Sequence, residues 1–532
     1  MRGPALLLAA LTAAALAAAA FPGAAVAEVR VEGALHLRLT ELRDAPATDV
    51  LFDRATRVFL VDDYLATATG ARYGSTLAEL SLDGRHLDGA LHWRLAVDTG
   101  ELRMRRSPAT AFACWSSGSP SGLDVRGSGR CNLVSPTLAV EESRLGPSQL
   151  TSNGRPIADE VRSTLLVREA YAAWSFGRAG FATLRAGRAR QAVAEGLVHD
   201  DYGTGLDLAL DLGAIGPPFE LRAALFQPTR DFPSTVAGIS PMALLRADWL
   251  PSLFEHAGLF LAAHRDLTGG LAELVRGALV EDDVVRLAGL APGSQPYTDV
   301  SRHLAVLLSS APASTATLAW AGTSGSLVTF ASQRLLWTLA LLRGRLDELG
   351  PAGAPVQVDV PLRGSAAWLR YQVSPWPWLS VTPWFLYLSG DRPPAEKARL
   401  GLPAGYGAFL GVSPYVTATN LFFGGGLSET FAARQATAPG VNGRGVIAPG
   451  LNVELDLGSD VDLLARAAWL RAEDDGPWGG RTYGTELDLA ATWEPAPWIS
   501  FGAEADVLLP GDFFGGGKTI YKSVLAVDLR TP

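Results

Sequence analysis

Apolar and polar residues alternate one for one in segment after segment of this chain. Between Ala90 and Asp98, Leu91, Trp93, Leu95 and Val97 fall on one face, and His92, Arg94 and Asp98 on the other. Leu206, Leu208, Leu210 and Leu212 alternate with Asp207 and Asp211. Leu451, Val453, Leu455 and Leu457 alternate with Asn452, Glu454 and Asp456. Leu487, Leu489, Ala491 and Trp493 alternate with Glu486, Asp488, Thr492 and Glu494. Successive side chains of a strand point to opposite faces, so this period of two predicts strands with one apolar and one charged side. Segments of roughly ten such residues, set apart by turn residues, are the pattern of a membrane barrel strand: lipid on one face, water on the other.

The connections alternate in length. Short ones are read at Leu82–Arg85, Gly177–Gly180, Gly213–Pro218, Ser374–Pro377, Gly458–Asp460 and Pro495–Pro497. Long ones are read at residues 43–74, 99–160, 228–241, 267–301, 390–445 and 473–482. Short periplasmic turns facing long extracellular loops are the rhythm of an outer-membrane barrel. Trp174, Phe176, Trp249, Trp376, Trp378, Trp493 and Trp498 sit beside the short turns, where an interfacial girdle would place them. The expectation is an all-β fold: a transmembrane antiparallel β-barrel of about 18 strands, with 16–20 allowed. Leu327–Arg343, within the hard-to-parse stretch 323–373, reads as one long strand or part of an insertion, and residues 271–290 suit a short helix in an outer loop.

The first residues supply the export route. Met1-Arg2 is a short basic start, residues 5–20 are unbroken apolar, and Ala25-Val26-Ala27 offers the small residues a signal peptidase reads. The chain therefore divides into a signal peptide at 1–27 and a barrel at 28–532. After residue 27 no stretch is long and uncharged enough for a membrane helix. Cys114 and Cys131 lie in one Gly/Ser-rich segment and are expected to close an outer loop as a disulfide in an oxidising compartment. The net charge of −9 is spread along the chain, and no basic block points to nucleic acid.

Charge changes the picture of the wall. Residues 162–190 hold six arginines against one acid, Glu169, whereas 446–530 hold fourteen acids against six basic residues. Consecutive strands occupy one sector of a barrel, so a basic and an acidic sector facing each other are expected, with a field across the pore. The candidate pore-lining groups are Arg94, Arg168, Arg185, Arg188, Asp207, Asp211, Arg222, Arg246, Arg370, Glu454, Asp456, Arg466, Glu486 and Asp488. Arg185 and Arg188, three residues apart, cannot share one face unless a bulge intervenes. The clusters Glu281-Asp282-Asp283 and Glu473-Asp474-Asp475 read as solvated outer loops, with calcium bridging to lipopolysaccharide phosphate as the alternative. Glu195–Asp201, with His199, Asp200 and Asp201, also reads as a loop rather than a metal site. No nucleophile elbow, zinc motif or phosphate-binding glycine loop is found, so neither an enzyme nor a cofactor is expected.

Short motifs add a resemblance. Leu166–Tyr171 with Leu184–Arg188 resembles the "REAY … LRxGR" hairpin of the alginate-export family of outer-membrane porins. Tyr387–Asp391 is similar to that family's "SGD" strand end, and Gly484–Leu489 with Leu509-Pro510-Gly511 to its closing hairpin. The resemblance implies an 18-stranded barrel and an arginine-lined pore for an anionic polysaccharide, with Arg168, Arg185 and Arg188 in the wall. Two departures stand out: residues 228–375 match nothing in the family, and the chain ends Asp528–Pro532 without a terminal aromatic. The expected function is a porin passing small polar or anionic solutes, or exporting an acidic polysaccharide. The alternative is a plugged barrel that anchors an envelope machine for polysaccharide secretion or surface motility. The expected partners are outer-membrane lipid and lipopolysaccharide, with periplasmic export or motility proteins in the second case.

Overall fold

A computed structural model of the chain describes residues 28–43, 71–99, 102–105, 166–177, 180–228, 240–252, 254–267, 290–308, 315–330, 332–349, 358–392, 405–412, 416–423, 425–427, 443–458, 460–475, 480–514 and 519–531, with the short pieces 114–115, 123–124, 271 and 275. The leader at 1–27, Cys131 and Glu281–Asp283 lie outside the described residues, as do the side chain of Cys114 and with it the expected disulfide.

One antiparallel sheet accounts for nearly all of the strands. In chain order they are β1 (Glu28–Arg43), β2 (Ala71–His86), β3 (Leu91–Asp98, continued by Leu102–Arg105), β4 (Leu166–Phe176), β5 (Ala182–Val193), β6 (His199–Asp211), β7 (Phe219–Pro228), β8 (Met242–Ser252) and β9 (Glu255–Asp266). The second half comprises β10 (Thr315–Phe330), β11 (Gln333–Leu349), β12 (Val358–Trp376), β13 (Leu379–Leu388), β14 (Val446–Asp456), β15 (Val461–Arg471), β16 (Thr482–Ala496), β17 (Ile499–Pro510) and β18 (Ile520–Arg530). Both segments of β3 pair with β2 and form one stave, so the sheet has 18 staves. Each stave pairs with its chain neighbour, and β1 pairs with β18 from Ala34↔Arg530 to Arg43↔Tyr521. The barrel is closed.

Closure matters because hydrocarbon offers the backbone no hydrogen bonds, so a sheet survives there only when it has no edge. The outward rows match that solvent. Leu206, Leu245, Leu259, Leu261, Leu341, Leu489 and Leu525 are exposed, each on the face opposite a buried neighbour. Trp174, Trp249, Trp376, Trp378, Trp493 and Trp498 are exposed at the short-turn end, and Trp376 stacks on Trp378 with ring centroids 5.2 Å apart. An apolar belt with an aromatic rim is the surface of a protein held in a bilayer. The chain is an 18-stranded antiparallel β-barrel of the outer membrane.

Several turns fall elsewhere than the sequence reading puts them. Asp83 and Gly84 look like a hairpin turn, yet β2 runs on to His86 and the chain reverses over Leu87–Ala90. Leu87, Asp88 and Gly89 take positive φ of 53°, 54° and 88°, the twist that a tight hairpin needs. The later reversal pairs Asp83 with Arg94 across the strands. Leu327–Arg343 is not one strand, because the chain reverses between Phe330 and Gln333 without the help of glycine or proline. β12 and β16 run to Trp376 and Ala496, three and two residues into their expected turns. In the long connection after β9, Leu271 and Val275 are helical and fully buried, and a further helix, α1 (Gln295–Leu308), follows.

The outward assignment has a direct test. Leu259→Arg places a charge in the lipid belt and is expected to cost about 2–4 kcal/mol, the midplane value for a barrel. Urea unfolding in liposomes measures it, and Leu259→Phe serves as the control that should unfold as the parent does.

Candidate functional site

The inner face is not uniformly polar. Over β7–β15 it is largely apolar: Phe226, Met242, Leu244, Phe260, Trp320 and Leu342 point inward and are buried. They share one buried cluster with the chain's own connection between β13 and β14, and with Val193, Leu197, Val198, Leu271 and Val275. Residues 405–412 and 416–423 of that connection bury Phe409, Leu410, Val412, Leu421, Phe422 and Phe423 against this wall. Trp320 donates its indole N–H to the Leu410 carbonyl at 2.9 Å, and the Val412 N–H reaches the Val198 carbonyl at 2.8 Å. Gly364 on β12 permits the approach, since a Cβ there would stand 2.6 Å from the Phe409 Cα. The barrel core in this sector is thus a packed one, with the loop as its second layer.

The other end of the loop docks on charge. Glu486 and Asp488 of β16 and Glu504 and Asp506 of β17 face inward and are buried, Glu486 with 0 % exposure. Asp488, Asp506 and Lys522 form one rung across β16, β17 and β18. Lys522 lies 2.7 Å from Glu504 and 3.3 Å from Asp506. One ammonium stands among four carboxyl groups, and the loop supplies further partners to them. The N–H groups of Leu421 and Phe422 donate to Glu486, that of Asn420 to Asp488 at 3.1 Å, and that of Leu427 to Glu504. The Asn420 side-chain amide donates to Asp506 at 2.9 Å, while Lys522 donates to the Asn420 carbonyl at 3.2 Å. Arg466 adds a bond to the Asn420 side-chain oxygen at 2.7 Å, and Arg38 of β1 one to the Leu427 carbonyl at 2.8 Å. Hydrogen bonds are stronger out of water, and here most of them fix the backbone of the loop.

The remaining sector, β1–β8, carries ion pairs that keep contact with water. Arg94 bonds Asp83 at 2.9 Å and Glu169 at 2.6 Å, and its side chain stays 32 % exposed. Arg168 reaches Asp98 at 3.0 Å and Glu79. A register shift between Ala96 and Val97 leaves Arg168 as the extra residue of β4, so Arg168 and Glu169 both contact inward groups. Asp207 bonds both Arg185 and Arg222, the latter at 2.7 Å, and Arg222 remains 20 % exposed. Arg246 bonds Asp248 at 2.6 Å. His36 and Arg38 share Asp528 of β18, at 2.7 and 2.6 Å, and this pair differs from the others in that the Arg38 side chain is buried.

The sequence-derived candidates therefore separate. Arg94, Arg168, Arg185, Asp207, Arg222 and Arg246 come together along one wet wall. Glu486, Asp488 and Arg466 belong to the dock. Arg370 stands 4.2 Å over the Trp368 ring on the inner face of β12. Glu454, Asp456 and Arg466 line a cavity of about 570 Å³ at the short-turn end, beneath Gly426 and Leu427. Asp211 and Asp456 also accept the N–H of Gly213 and Gly458, at 2.8 and 2.9 Å, and so finish turns. Arg188 is the exception. The buried positions Ala189, Gln191 and Val193 continue the inward row from Arg185, which leaves Arg188 with exposed Leu184 on the outer face, bonded to the Val167 carbonyl at 2.8 Å.

The divided wall expected from composition is replaced by an interleaved one. The arginines of β4 and β5 meet acids from β2, β3 and β6, which are neighbours in the sheet and distant in the sequence. Sequence reading passed over Glu79, Asp83, Asp98, Glu504, Asp506 and Lys522, although strand alternation places them inward as plainly as the others. The loop's place in the lumen has no such signal. Outside the membrane, the acids 473–475 are engaged rather than free. Glu473 accepts from the Tyr387 hydroxyl at 3.0 Å and the Gly390 N–H at 2.6 Å. Arg392 lies 3.1 Å from Asp474. The Arg481 guanidinium holds the Asp475 carboxyl below the usual carboxylate range. Among the described residues no group of three or more His, Cys, Asp or Glu converges to hold a metal ion.

Lys522→Met is expected to leave the four acids uncompensated and to cost about 3–5 kcal/mol, as for a broken buried pair. Limited proteolysis with mass spectrometry should find new cleavage within 405–427, and Glu504→Gln with Asp506→Asn should restore protection.

No family model matches the chain, and no curated protein matches it in sequence. Solved structures are similar in overall outline. Pseudomonas aeruginosa OccK9 (OpdG) aligns at 12 % identity and a TM-score of 0.48, over 95 % of this chain and 98 % of its own. The outer membrane protein OprD of the same organism aligns at 11 % and 0.43, over 94 % and 93 %. Acinetobacter baumannii OccAB2 aligns at 11 % and 0.46, over 94 % and 98 %. The alginate-export resemblance finds no counterpart among these matches, and the barrel rests on its own strand pairing.

Proposed function

We propose that the protein is a diffusion channel for small polar solutes, narrowed by its β13–β14 loop. The carrying observation is the contrast between the two inner surfaces. The loop is buried against β10, β12 and the acids of β16 and β17, whereas the ion pairs of β1–β8 keep a fifth to a third of the side-chain exposure of Arg94, Arg185 and Arg222. A wall of charged groups held in water beside a fixed constriction is the arrangement of a selective pore. Because every arginine named on this wall is paired, a passing solute meets donors and acceptors at each level rather than a bare cationic row. That favours small dipolar or charged solutes over a long polyanion, for which each arginine would first have to leave an acid. Anion passage and acidic-polysaccharide export are the less favoured members of the same reading.

A second reading has its own support: the loop is so firmly docked that the barrel could serve as a plugged anchor for an envelope assembly. Planar bilayers separate the two. The channel reading expects steady conductance, and deletion of 405–427 should raise it several-fold. Arg94→Ala, Arg185→Ala and Arg222→Ala together should leave Asp83, Glu169 and Asp207 bare. The reversal potential in a salt gradient should then move towards cation preference. A barrel silent at all voltages that conducts only after the deletion is the outcome for the plugged anchor.

A further inference from the structure

The outer face holds one charged patch that neither the lumen nor the apolar belt accounts for. At the long-loop end of β9–β12, Arg265, Arg343, Arg345 and Arg363 are all exposed. Their neighbours in sequence, His264, Leu342, Leu346 and Leu362, point inward and are buried, so the four arginines face outward. Register places them on two adjoining rungs: Arg265↔Thr317↔Arg345, and Ala319↔Arg343↔Arg363. Arg343 and Arg363 are therefore directly opposite each other across two hydrogen-bonded strands. The next rung on the same face holds Leu261 and Leu341, both in the exposed apolar belt. Among the described residues the only acid paired with the patch is Asp347, 2.8 Å from Arg345. Arg265, Arg343 and Arg363 have no ion pair or side-chain hydrogen bond among them.

Like charges directly across a strand pair repel, and no ion pair with a described side chain offsets this pair. The position is one rung above hydrocarbon, at the depth of the headgroups of the extracellular leaflet. Guanidinium forks match phosphate oxygens two at a time, and a phosphate between two strands would turn the repulsion into a shared contact. We propose that Arg343 and Arg363, flanked by Arg265 and Arg345, form a binding site for the phosphorylated headgroup of the outer-leaflet glycolipid. The site is independent of whether the lumen conducts. It fixes the barrel's height in the membrane by anchoring the outer rim to anionic lipid, where the inner rim is anchored by tryptophans.

The test uses the full-length barrel folded in a zwitterionic detergent, with bis-phosphorylated lipid A as probe and dephosphorylated lipid A beside it, read by native mass spectrometry and thermal unfolding. The parent should retain bis-phosphorylated lipid A, unfold at higher temperature with it, and bind the dephosphorylated form at least tenfold more weakly. Arg343→Gln with Arg363→Gln should lose that tenfold preference, yet unfold no earlier than the parent when lipid is absent, because the repulsion goes with the charges. Arg43→Gln, on another exposed arginine paired with Glu41, should bind as the parent does. Heat-modified gel mobility reports whether each variant has folded. Equal binding of the two lipid A forms, or undiminished preference in the double variant, overturns the proposal. So does full displacement by inorganic phosphate at the lipid's own concentration, which would make the site one for the free ion.

Discussion

The pairing of β1 with β18 is the constraint from which the other features of this barrel follow. In hydrocarbon an unpaired N–H or C=O costs several kcal/mol, so an open edge running the length of a strand would not persist. Ten register positions join the first and last staves. Closure with both ends of the chain on one side requires an even number of staves. It also separates an inner from an outer face for every residue at once, which is why Leu261 and Ala262, adjacent on β9, live in lipid and in protein respectively.

Once the wall is closed, its inner face must be satisfied by water, by ion pairs or by the chain itself. All three solutions are present. The acids and arginines of β1–β8 find each other across neighbouring strands and keep some water. The apolar inner face of β7–β15 has no such recourse and is buried in one cluster with the β13–β14 loop, the 193–198 segment and Leu271 and Val275. The acids of β16 and β17 bind the far end of that loop through its peptide N–H groups. The loop is thus held at one end by area and at the other by charge. These differ in kind: apolar packing is non-directional and sets how close the loop lies, whereas the Glu486 and Asp488 bonds set which peptides face the wall.

The same balance shapes the lumen. A wall whose arginines were free would present a strong positive potential to every passing anion. Here Asp207 serves both Arg185 and Arg222, and Arg94 serves two acids, so the charges form a lattice that screens itself. The outer face departs from that economy at Arg343 and Arg363, where two like charges share a rung with no ion pair among the described residues. The contrast between a neutralised interior and a charged rim is what marks the rim as a contact surface.

Strand identity and facing were legible in the sequence because they depend only on a period of two and on the preference of leucine for lipid. The leucine rows on β3, β6, β14 and β16 needed no neighbour to be read, and stave number followed from spacing. Turn positions were less legible. Asp83-Gly84 has the local chemistry of a hairpin, but the pairing of Asp83 with Arg94 is worth more when the strand continues. Charge partners were not legible at all, because Arg94 meets Asp83 and Glu169 only when three strands stand side by side. Least legible was the loop. Nothing in the residues around Asn420 says that this stretch lies against four acids 64 to 86 positions later. Sequence determined that there is a wall and which way each side chain faces, since those are local periodicities. Tertiary structure decided what fills the space inside, since that rests on contacts between parts of the chain that only closure brings within reach.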